Sequence, residues 1–421
     1  MHRLAIIPLV ALLICSCNTS DAALGIDGVS EKKAAGGLTR VDLGTLGGAS
    51  SYAAGINSSG TAVGWSETSA GTTHAFRWSV AAGMVDLGTL PGDAMSRAVA
   101  VLDEGTQSGG QILGVSGDND RWTPVVWSAS GSISALPIPL IQNLTTPLPT
   151  DFNARGDVVG SDAGGLRHGW IWSESNGKYD LTANLQGGSY EGLANAVTAS
   201  GLVVVTTTDN TCKRAPPCWR TYLWTQTTGY HPLGTPADDP EASVAGLGLN
   251  ETGTVAGWVG PGATVGTIPY RWSAVTGFTL LASYSTGSSA YGYATAVNAN
   301  GTVVGADREP TSGSIVASTW LPNGAIVRLS PEDPNPSVAV AISSTGKIAG
   351  WAAMSNGVNH AVIWQPSSQT SGVALRPSAS VNTDAYTPRA STASAKCLAD
   401  PRSISSRQAL FSCVIDADRK R

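Results

Sequence analysis

The chain consists of short apolar runs separated by turns rich in Gly, Asn and Asp, and one order of runs recurs. Each unit begins with an apolar segment and an N-x-x-G-type turn, followed by a segment with a Val-Gly or Ala-Gly doublet. A third segment ends in Trp, and a fourth begins after a Gly. Regular copies of the first turn lie at 53–65, 150–160, 247–258, 295–305 and 340–351, and degenerate copies at 97–114 and 195–205. Runs of this length, rich in Val, Ile, Trp and Thr, predict β-strands rather than helices.

The Trp that ends the third segment gives the period of the repeat. Successive copies are 44 to 52 residues apart, and they are Trp78, Trp127, Trp172, Trp224, Trp272, Trp320 and Trp364. Four strands in a unit of about 40–50 residues are typical of a propeller blade. The sequence therefore predicts an all-β, seven-bladed β-propeller built from seven repeats of about 48 residues, with four strands per blade.

A lone copy of the fourth segment predicts how the ring closes. The run VDLGTL (41–46) precedes the first unit. It is expected to complete the last blade and so remove an open sheet edge. Residues 372–375 offer a rival closing strand. If this lone segment is a fourth strand, each blade begins with the Ala-, Gly- and Val-rich segment, which then lies nearest the axis. The blade Trp is then expected to pack between neighbouring blades.

The repeat boundaries divide the chain into five segments. They are a lipoprotein-type signal peptide at 1–16, a linker at 17–37, the propeller at 38–376, a Ser/Thr/Ala-rich linker at 377–395 and a short C-terminal segment at 396–421. Charged residues make up 13% of the chain and Gly contributes 50 of 421 residues, a composition that favours a turn-rich folded protein over disorder. The net charge of −5 provides no electrostatic basis for binding nucleic acid.

The N-terminus resembles a bacterial export signal. A polar start at His2 and Arg3 is followed by an apolar run, and Ile14-Cys15-Ser16-Cys17 resembles a lipobox. The protein is therefore expected to be an outer-membrane or cell-surface lipoprotein, attached to the membrane only through a lipid on Cys17. Cleavage near Ala22 or Ala23 is the alternative, and it would leave a periplasmic or extracellular protein.

The remaining four cysteines form two local pairs, Cys212 with Cys218 and Cys397 with Cys413. An even, locally paired count in an exported chain predicts two disulfides. A zinc site is the alternative, but no His or further Cys lies near either pair at ligand spacing.

The combination of DLGTLGG, A-x-GIN, a Val-Gly doublet and HAFRW resembles the HAF-repeat family of bacterial extracellular proteins. The resemblance covers about residues 41–366 and is most complete in the first unit. The second and fourth units depart from it, with a longer first turn in one and Val205 in place of the Gly in the other. The resemblance implies an extracellular repeat protein and does not imply a substrate.

The polar residues of the repeat favour structural roles. His74, His168 and His360 share one register in three different blades, so a hydrogen bond between strand and turn is expected rather than a metal site. The turn residues Asn57, Asn153, Asn250 and Asn298 are expected to cap their own turns. Ser344 and Lys347 have S-x-x-K spacing, but they lie within a predicted tight turn. No catalytic residue, cofactor or metal is therefore expected.

The two faces of the disc should differ. The connections between first and second strands and between third and fourth strands are short and repetitive, and they form what we call the tight-turn face. The other connections vary and form the variable-loop face, where binding residues are expected because variable loops on a rigid scaffold often carry function. The candidates are Asp93, Asp118, Asp120, Trp122, Trp219, Asp238, Asp239, Glu241, Tyr291, Glu332 and Asp333. Asp162 belongs to the same face.

Three roles for these acids remain open from the sequence. They could be solvated loop charges, calcium ligands without the D-x-D-x-D-G order, or a surface that recognises a protein or glycan. The favoured function is a non-catalytic, monomeric binding or structural scaffold. The alternative is a propeller enzyme of lyase or glycosidase type, which would use carboxylates at the channel mouth.

Lipidation of Cys17 can be tested directly. Metabolic labelling of the bacterial cell with a fatty acid should mark the wild-type protein, because a lipobox cysteine is the acceptor of the lipid. The Cys17→Ser variant should lose the label, whereas Cys15→Ser serves as the neighbouring control. A label that persists in Cys17→Ser would contradict this anchor.

Overall fold

The computed structural model describes residues 31–33 and 38–366, apart from 106–107, 119–120, 140–145, 163–166, 184, 186–190, 211, 214–217, 261–265, 286–289 and 332. Within these residues the protein is all-β and forms seven antiparallel sheets arranged as a seven-bladed β-propeller, as predicted. In the same residues no helix is long and apolar enough to cross a membrane.

Each blade is an antiparallel meander of four strands. The first strands are β3 (Gly47–Ile56), β7 (Met95–Val101), β11 (Pro147–Phe152), β15 (Gly192–Val197), β19 (Ser243–Leu249), β23 (Gly292–Val297) and β27 (Ser337–Ile342). The second strands are β4 (Ala62–Thr68), β8 (Ile112–Gly117), β12 (Val158–Asp162), β16 (Val203–Asp209), β20 (Val255–Gly260), β24 (Val303–Arg308) and β28 (Ile348–Ala353).

The outer half of each blade is formed by the third and fourth strands. The third strands are β5 (Thr73–Ser79), β9 (Trp122–Trp127), β13 (Gly169–Ser173), β17 (Cys218–Thr225), β21 (Ile268–Ser273), β25 (Ile315–Trp320) and β29 (Asn359–Pro366). Six blades take their fourth strand from β6 (Gly83–Asp86), β10 (Ile133–Ala135), β14 (Gly177–Asp180), β18 (Gly229–Pro232), β22 (Gly277–Leu280) and β26 (Ile326–Arg328).

The seventh blade takes its fourth strand from the other end of the chain. The strand β2 (Leu38–Asp42) pairs antiparallel with β29, and β1 (Glu31–Lys33) adds a fifth strand outside it. The lone N-terminal copy of the fourth segment therefore closes the ring, as predicted. The rival strand at 372–375 lies outside the described residues.

Small residues form the inner ring. The first strands of neighbouring blades contact one another in an unbroken circle, and β27 contacts β3 to complete it. Each first strand contains a β-bulge at the same register, which increases the local twist of the strand. The bulged residues are Ala54, Val99, Thr150, Asn195, Leu247, Thr295 and Val340.

Bulged residues with polar side chains bind the next blade. Thr150 Oγ1 donates a hydrogen bond to Ala194 O at 2.6 Å. Asn195 Nδ2 donates to Gly246 O at 2.7 Å. In each pair the acceptor lies one residue before the bulge of the neighbouring blade, so the contact links equivalent points around the axis.

The core lies between the blades, and the Trp of each third strand contributes to it. Trp127 packs in a buried cluster with Val63 and Ala75 of the preceding blade, and its indole N–H donates to Leu87 O at 2.9 Å. Six of the seven repeat Trp side chains are buried, whereas Trp272 is half-buried. The predicted position of the Trp between blades is therefore confirmed, although its burial is less complete in the fifth blade.

The Asn of the first turn both caps its own turn and binds the next blade. Asn153 Oδ1 accepts from the backbone N–H groups of Arg155 and Asp157, while Nδ2 donates to Thr198 O at 2.9 Å. Asn57, Asn250 and Asn298 donate in the same way to the equivalent turn of the following blade. The structural role predicted for these residues is confirmed, with an inter-blade bond that the turn pattern alone did not predict.

Arg40 on the closing strand forms a buried ion pair with Asp333, in the connection between the sixth and seventh blades. The Arg40 Nη1 to Asp333 Oδ2 distance is 2.7 Å, and the two side chains are 6% and 11% exposed. The pair therefore fixes the N-terminal strand to the last blade-to-blade connection.

Removing one partner of this ion pair should weaken ring closure. Asp333→Ala should lower the free energy of unfolding by about 3–5 kcal/mol, because it leaves a buried guanidinium without its counter-charge. The double variant Arg40→Met/Asp333→Leu should recover most of that loss. Urea unfolding measures the free energy of unfolding of each variant. The control is Asp86→Ala, which removes the acid of a pair with His74. Because the Asp86 side chain is 42% exposed, this change should lower the free energy of unfolding by about 1 kcal/mol or less. Equal losses in the two alanine variants would contradict this assignment.

Candidate functional site

The variable-loop face holds most of the candidate residues, but the structure gives several of them structural contacts. Asp93 Oδ2 accepts from Ser116 Oγ at 2.7 Å, and Asp118 Oδ1 accepts from Arg121 N at 2.9 Å. Asp333 is held by Arg40 and is not the exposed loop acid that the sequence suggested. Asp120 and Glu332 lie outside the described residues.

Two aromatic candidates are buried rather than exposed. Trp219 is 7% exposed and Tyr291 is 4% exposed, and both belong to a cluster that also contains Trp65, Trp258 and Trp351. These side chains pack with first-strand residues of several blades, including Tyr52, Leu193 and Tyr293. Their types suggested a recognition surface, but their burial makes them part of the core.

Trp122 is the aromatic candidate that remains partly accessible. It is half-buried at the start of β9, and the Arg97 guanidinium lies 4.8 Å from its ring centroid. Arg97 comes from the first strand of the same blade. This cation–π contact orders the ring and places a positive charge beside it.

The most coherent group of candidates lies where the fourth blade meets the fifth. Cys212 and Cys218 form the predicted disulfide, with their Cα atoms 6.3 Å apart. Glu241 Oε2 accepts from Lys213 N at 2.7 Å, within this disulfide loop. Arg220 Nη1 on β17 donates to Ala242 O at 2.6 Å, so the blade-to-blade connection is bound both to the disulfide loop and to the strand that follows it.

The connection beside the disulfide loop carries three acids. Asp238 is exposed, and Asp239 and Glu241 are half-buried. Asp239 Oδ1 accepts from Glu241 N at 3.3 Å, which makes the turn around them tighter. The structure therefore holds these three candidates together on a fixed part of the variable-loop face.

The repeat histidines form three separate His–Asp pairs. His74 lies 2.8 Å from Asp86, His168 lies 2.7 Å from Asp180, and His360 lies 3.0 Å from Asp42. Each His is at the start of a third strand and each Asp at the end of the neighbouring fourth strand. The second carboxylate oxygen accepts from a backbone N–H of the following turn, as in Asp86 with Gly88 at 2.7 Å. The predicted bond between strand and turn is confirmed, and the acid that mediates it is identified.

Asp162 differs from a solvated loop acid because it is paired with Lys178. Lys178 Nζ lies 2.7 Å from Asp162 Oδ1, with side-chain exposures of 2% and 0%, and it also donates to Pro139 O at 3.1 Å. Burial raises the pKa of Asp162 and lowers the pKa of Lys178, since it disfavours both charged forms. The pair anchors the connection that enters the third blade, and nothing in the repeat pattern marked this Lys.

Asp307 occupies the same register of the sixth blade and also anchors a connection. Its carboxylate accepts from Tyr284 N and Ser283 Oγ, both at 2.9 Å. In the second blade Ser116 Oγ performs the equivalent task by accepting from Leu90 N. Burial raises the pKa of Asp307 to about 6, even though these hydrogen bonds lower it.

The described residues contain no group of three or more His, Cys, Asp or Glu side chains placed to hold a metal ion. Cys397 and Cys413, and Cys17 at the export signal, lie outside the described residues. The geometry of the described face is therefore that of separate pairs and one acidic loop.

Comparisons with known proteins support the fold alone. No protein-family model matches the chain, and no curated protein matches it. Among solved structures, the chain is similar to an oligogalacturonate lyase from Vibrio parahaemolyticus, with 9% identity and a TM-score of 0.53. It is also similar to an oligogalacturonate lyase in complex with manganese, with 11% identity and a TM-score of 0.52. Each match covers 80% of this chain and 96% of the other.

Asp307 should make stability depend on pH in a defined direction. Its pKa is raised from 3.8 to about 6 on folding, so the folded protein binds this proton more tightly than the unfolded chain. The free energy of unfolding should therefore fall as pH rises from about 4 to about 7. Urea unfolding across this pH range gives the free energy of unfolding of wild type and of Asp307→Asn. The difference between the two values isolates the effect of Asp307, because the other titrating groups contribute equally to both proteins. A difference that stays constant with pH would contradict the raised pKa.

Proposed function

We propose that this protein is an exported, non-catalytic scaffold that binds a protein or glycan through its variable-loop face. The observation that carries the proposal is the acidic connection between the fourth and fifth blades. Asp238 is exposed there, beside Asp239 and Glu241, on a loop joined to the Cys212–Cys218 disulfide segment. A rigid loop loses little conformational freedom when it binds, which favours recognition.

The distribution of titratable groups supports binding over catalysis. The His–Asp pairs lie in three different blades, and each holds a third strand to a fourth strand. Asp162 and Asp333 are engaged by buried cations. Acid–base catalysis needs its groups within hydrogen-bond reach of a substrate, whereas each of these groups is already held by a neighbouring side chain.

Export and membrane attachment form part of the same proposal. The N-terminal apolar run and the lipobox-like segment ending at Cys17 support a lipoprotein at the outer membrane or cell surface. The disulfide in the fourth blade suits an oxidising compartment. In this arrangement the propeller is monomeric, and the lipid at Cys17 is its only attachment to the membrane.

A lyase activity is the competing function, since two of the similar solved structures are oligogalacturonate lyases. Incubation with oligogalacturonate, with and without manganese, gives a direct comparison. We expect no cleavage under either condition. Cleavage that depends on this protein would overturn the non-catalytic proposal.

Neutralising the acidic connection tests the binding surface. The purified wild-type protein is applied to a glycan array and, in parallel, is cross-linked to proteins on the surface of the producing cells. Asp238→Asn/Asp239→Asn/Glu241→Gln should reduce the retained ligand about tenfold or more, a loss of about 1.4 kcal/mol. Its melting temperature should change by about 2 °C or less, because loop charges contribute little to stability.

The control for this experiment is Glu251→Gln, which changes an exposed acid in the first turn of the fifth blade, on the tight-turn face. It should leave binding to the array or to the cross-linked protein unchanged. If wild type retains no ligand in either assay, or if the triple variant binds as wild type does, the variable-loop face is not the binding surface.

A further inference from the structure

Cationic side chains cross from one blade to the next on the tight-turn face. Arg77 Nη1 donates to Ala129 O at 2.8 Å, and Arg271 Nη1 donates to Gly301 O at 3.2 Å. Arg155 and Lys347 form similar bonds to Ser200 O and Ser59 O, at 2.9 and 2.7 Å. At four of the seven junctions a cation therefore binds backbone carbonyls of the neighbouring turns.

Two of these cations occupy one repeat position. Arg77 and Arg271 come immediately before the blade tryptophans Trp78 and Trp272, and they extend from the third strand toward the next blade. The other five blades have no cation at this position, and the second blade has Val126 before Trp127. Valine is short and provides no donor to the turns of the third blade.

A cavity of about 560 Å³ lies between the second and third blades. Its apolar wall includes Val126, Phe152 and Trp172, and its polar rim includes Gly156 and Glu174. The volume is within the range of ligand-binding pockets, roughly 300–1,000 Å³.

The third blade presents guanidinium acceptors at the expected register. Glu174 lies two residues after Trp172, just as Ala129 and Pro322 follow their own blade tryptophans by two residues. Arg77 donates to the carbonyl of Ala129, and Arg271 donates to the carbonyl of Pro322 at 3.4 Å. The Glu174 carbonyl therefore stands where a cation is bound at two other junctions.

The first turn of the third blade provides the second acceptor. Gly156 follows Asn153 by three residues, as Gly301 follows Asn298, and Gly301 O accepts from Arg271. Gly156 has φ of +87°, the turn conformation that glycine adopts most readily. The two carbonyl positions of the sixth blade that bind Arg271 are therefore present in the third blade as Glu174 and Gly156.

The charge of the rim favours a cation. The Glu174 side chain is exposed and carries a carboxylate. Arg155 also lines the cavity, but its guanidinium is bound to Asp157 of its own turn and to Ser200 O of the fourth blade, and Asp157 compensates its charge. An arriving guanidinium would meet the Glu174 carboxylate and two carbonyls, beside the Arg155–Asp157 pair.

We propose that the cavity between the second and third blades binds an arginine side chain from an extended segment of a partner protein. The guanidinium would bind Glu174 and the Gly156 carbonyl, and the aliphatic stem would pack against Val126 and Phe152. Arginine suits the site better than lysine because its planar fork donates to two acceptors at once. The proposal concerns the tight-turn face and is independent of the variable-loop face.

The probe is the capped peptide acetyl-Gly-Leu-Arg-Leu-Gly-amide, with citrulline and lysine versions as controls. Titration into the full chain is followed by the indole N–H resonance of Trp172. The arginine peptide should shift this resonance, and the citrulline peptide should bind at least about tenfold more weakly because it lacks the charge. Equal binding of the arginine and citrulline peptides would overturn the proposal.

Variants place the peptide in the cavity. Val126→Arg supplies an internal guanidinium, so it should abolish peptide binding while the melting temperature stays at or above that of wild type. Glu174→Gln, which changes an exposed residue, should weaken arginine-peptide binding about tenfold and keeps the test valid if Val126→Arg does not fold. Glu251→Gln, which changes an exposed acid in the first turn of the fifth blade, is the matched control and should bind as wild type does. Full peptide binding by Glu174→Gln or by folded Val126→Arg would overturn the proposal.

Discussion

The antiparallel pairing of β2 with β29 is the interaction on which the rest of the ring depends. Each blade buries its two faces against its neighbours, so the first and seventh blades gain their full contacts only when the circle is closed. Closure joins residues about three hundred positions apart, as in the pair of Arg40 with Asp333. The entropic cost of such a loop grows only slowly with its length, so one strand and one buried ion pair can hold the ends of a long array.

At several junctions, neighbouring blades have complementary polar groups. Ala75 N donates to Ser96 Oγ of the next blade, and Ala361 N donates in the same way to Ser51 Oγ. At the junction between the fifth and sixth blades the equivalent donor is replaced by Pro269 and the hydroxyl by Gly292. A Cβ on Gly292 would lie 2.9 Å from Pro269 Cδ, so the two replacements fit each other sterically as well.

The junction between the third and fourth blades solves the same problem with a residue from the connection. Gly192 stands at the serine position, and Thr182 Oγ1 accepts from Gly169 N at 3.2 Å instead. A Cβ on Gly192 would meet Thr182 at 2.1 Å, so the glycine makes room for the substitute hydroxyl. A buried N–H without an acceptor costs about 1–3 kcal/mol, and this cost explains why donor and acceptor change together along one chain.

Repetition determined which features could be predicted from the sequence. Blade number, strand order, the closing strand and the position of the blade Trp follow from a pattern present seven times, and the Cys212–Cys218 disulfide follows from local spacing. Contacts made once, between distant residues, leave no such pattern. Arg40 with Asp333 and Lys178 with Asp162 are of this kind. Residue type also misled at Trp219 and Tyr291, because an aromatic side chain at a loop boundary has the same appearance in sequence whether it faces solvent or the core.

This propeller can differ from its repeat without losing stability only at certain positions. Polar groups at repeat positions are used in bonds between turns, strands and blades, so a change there disturbs packing on two sides. An exposed residue of a blade-to-blade connection, such as Asp238, can change without such losses. A side chain that reaches across the tight-turn face can be shortened as well, and at Val126 the result is a cavity rather than a broken blade. Sites for binding partners are therefore expected where the seven blades are least alike.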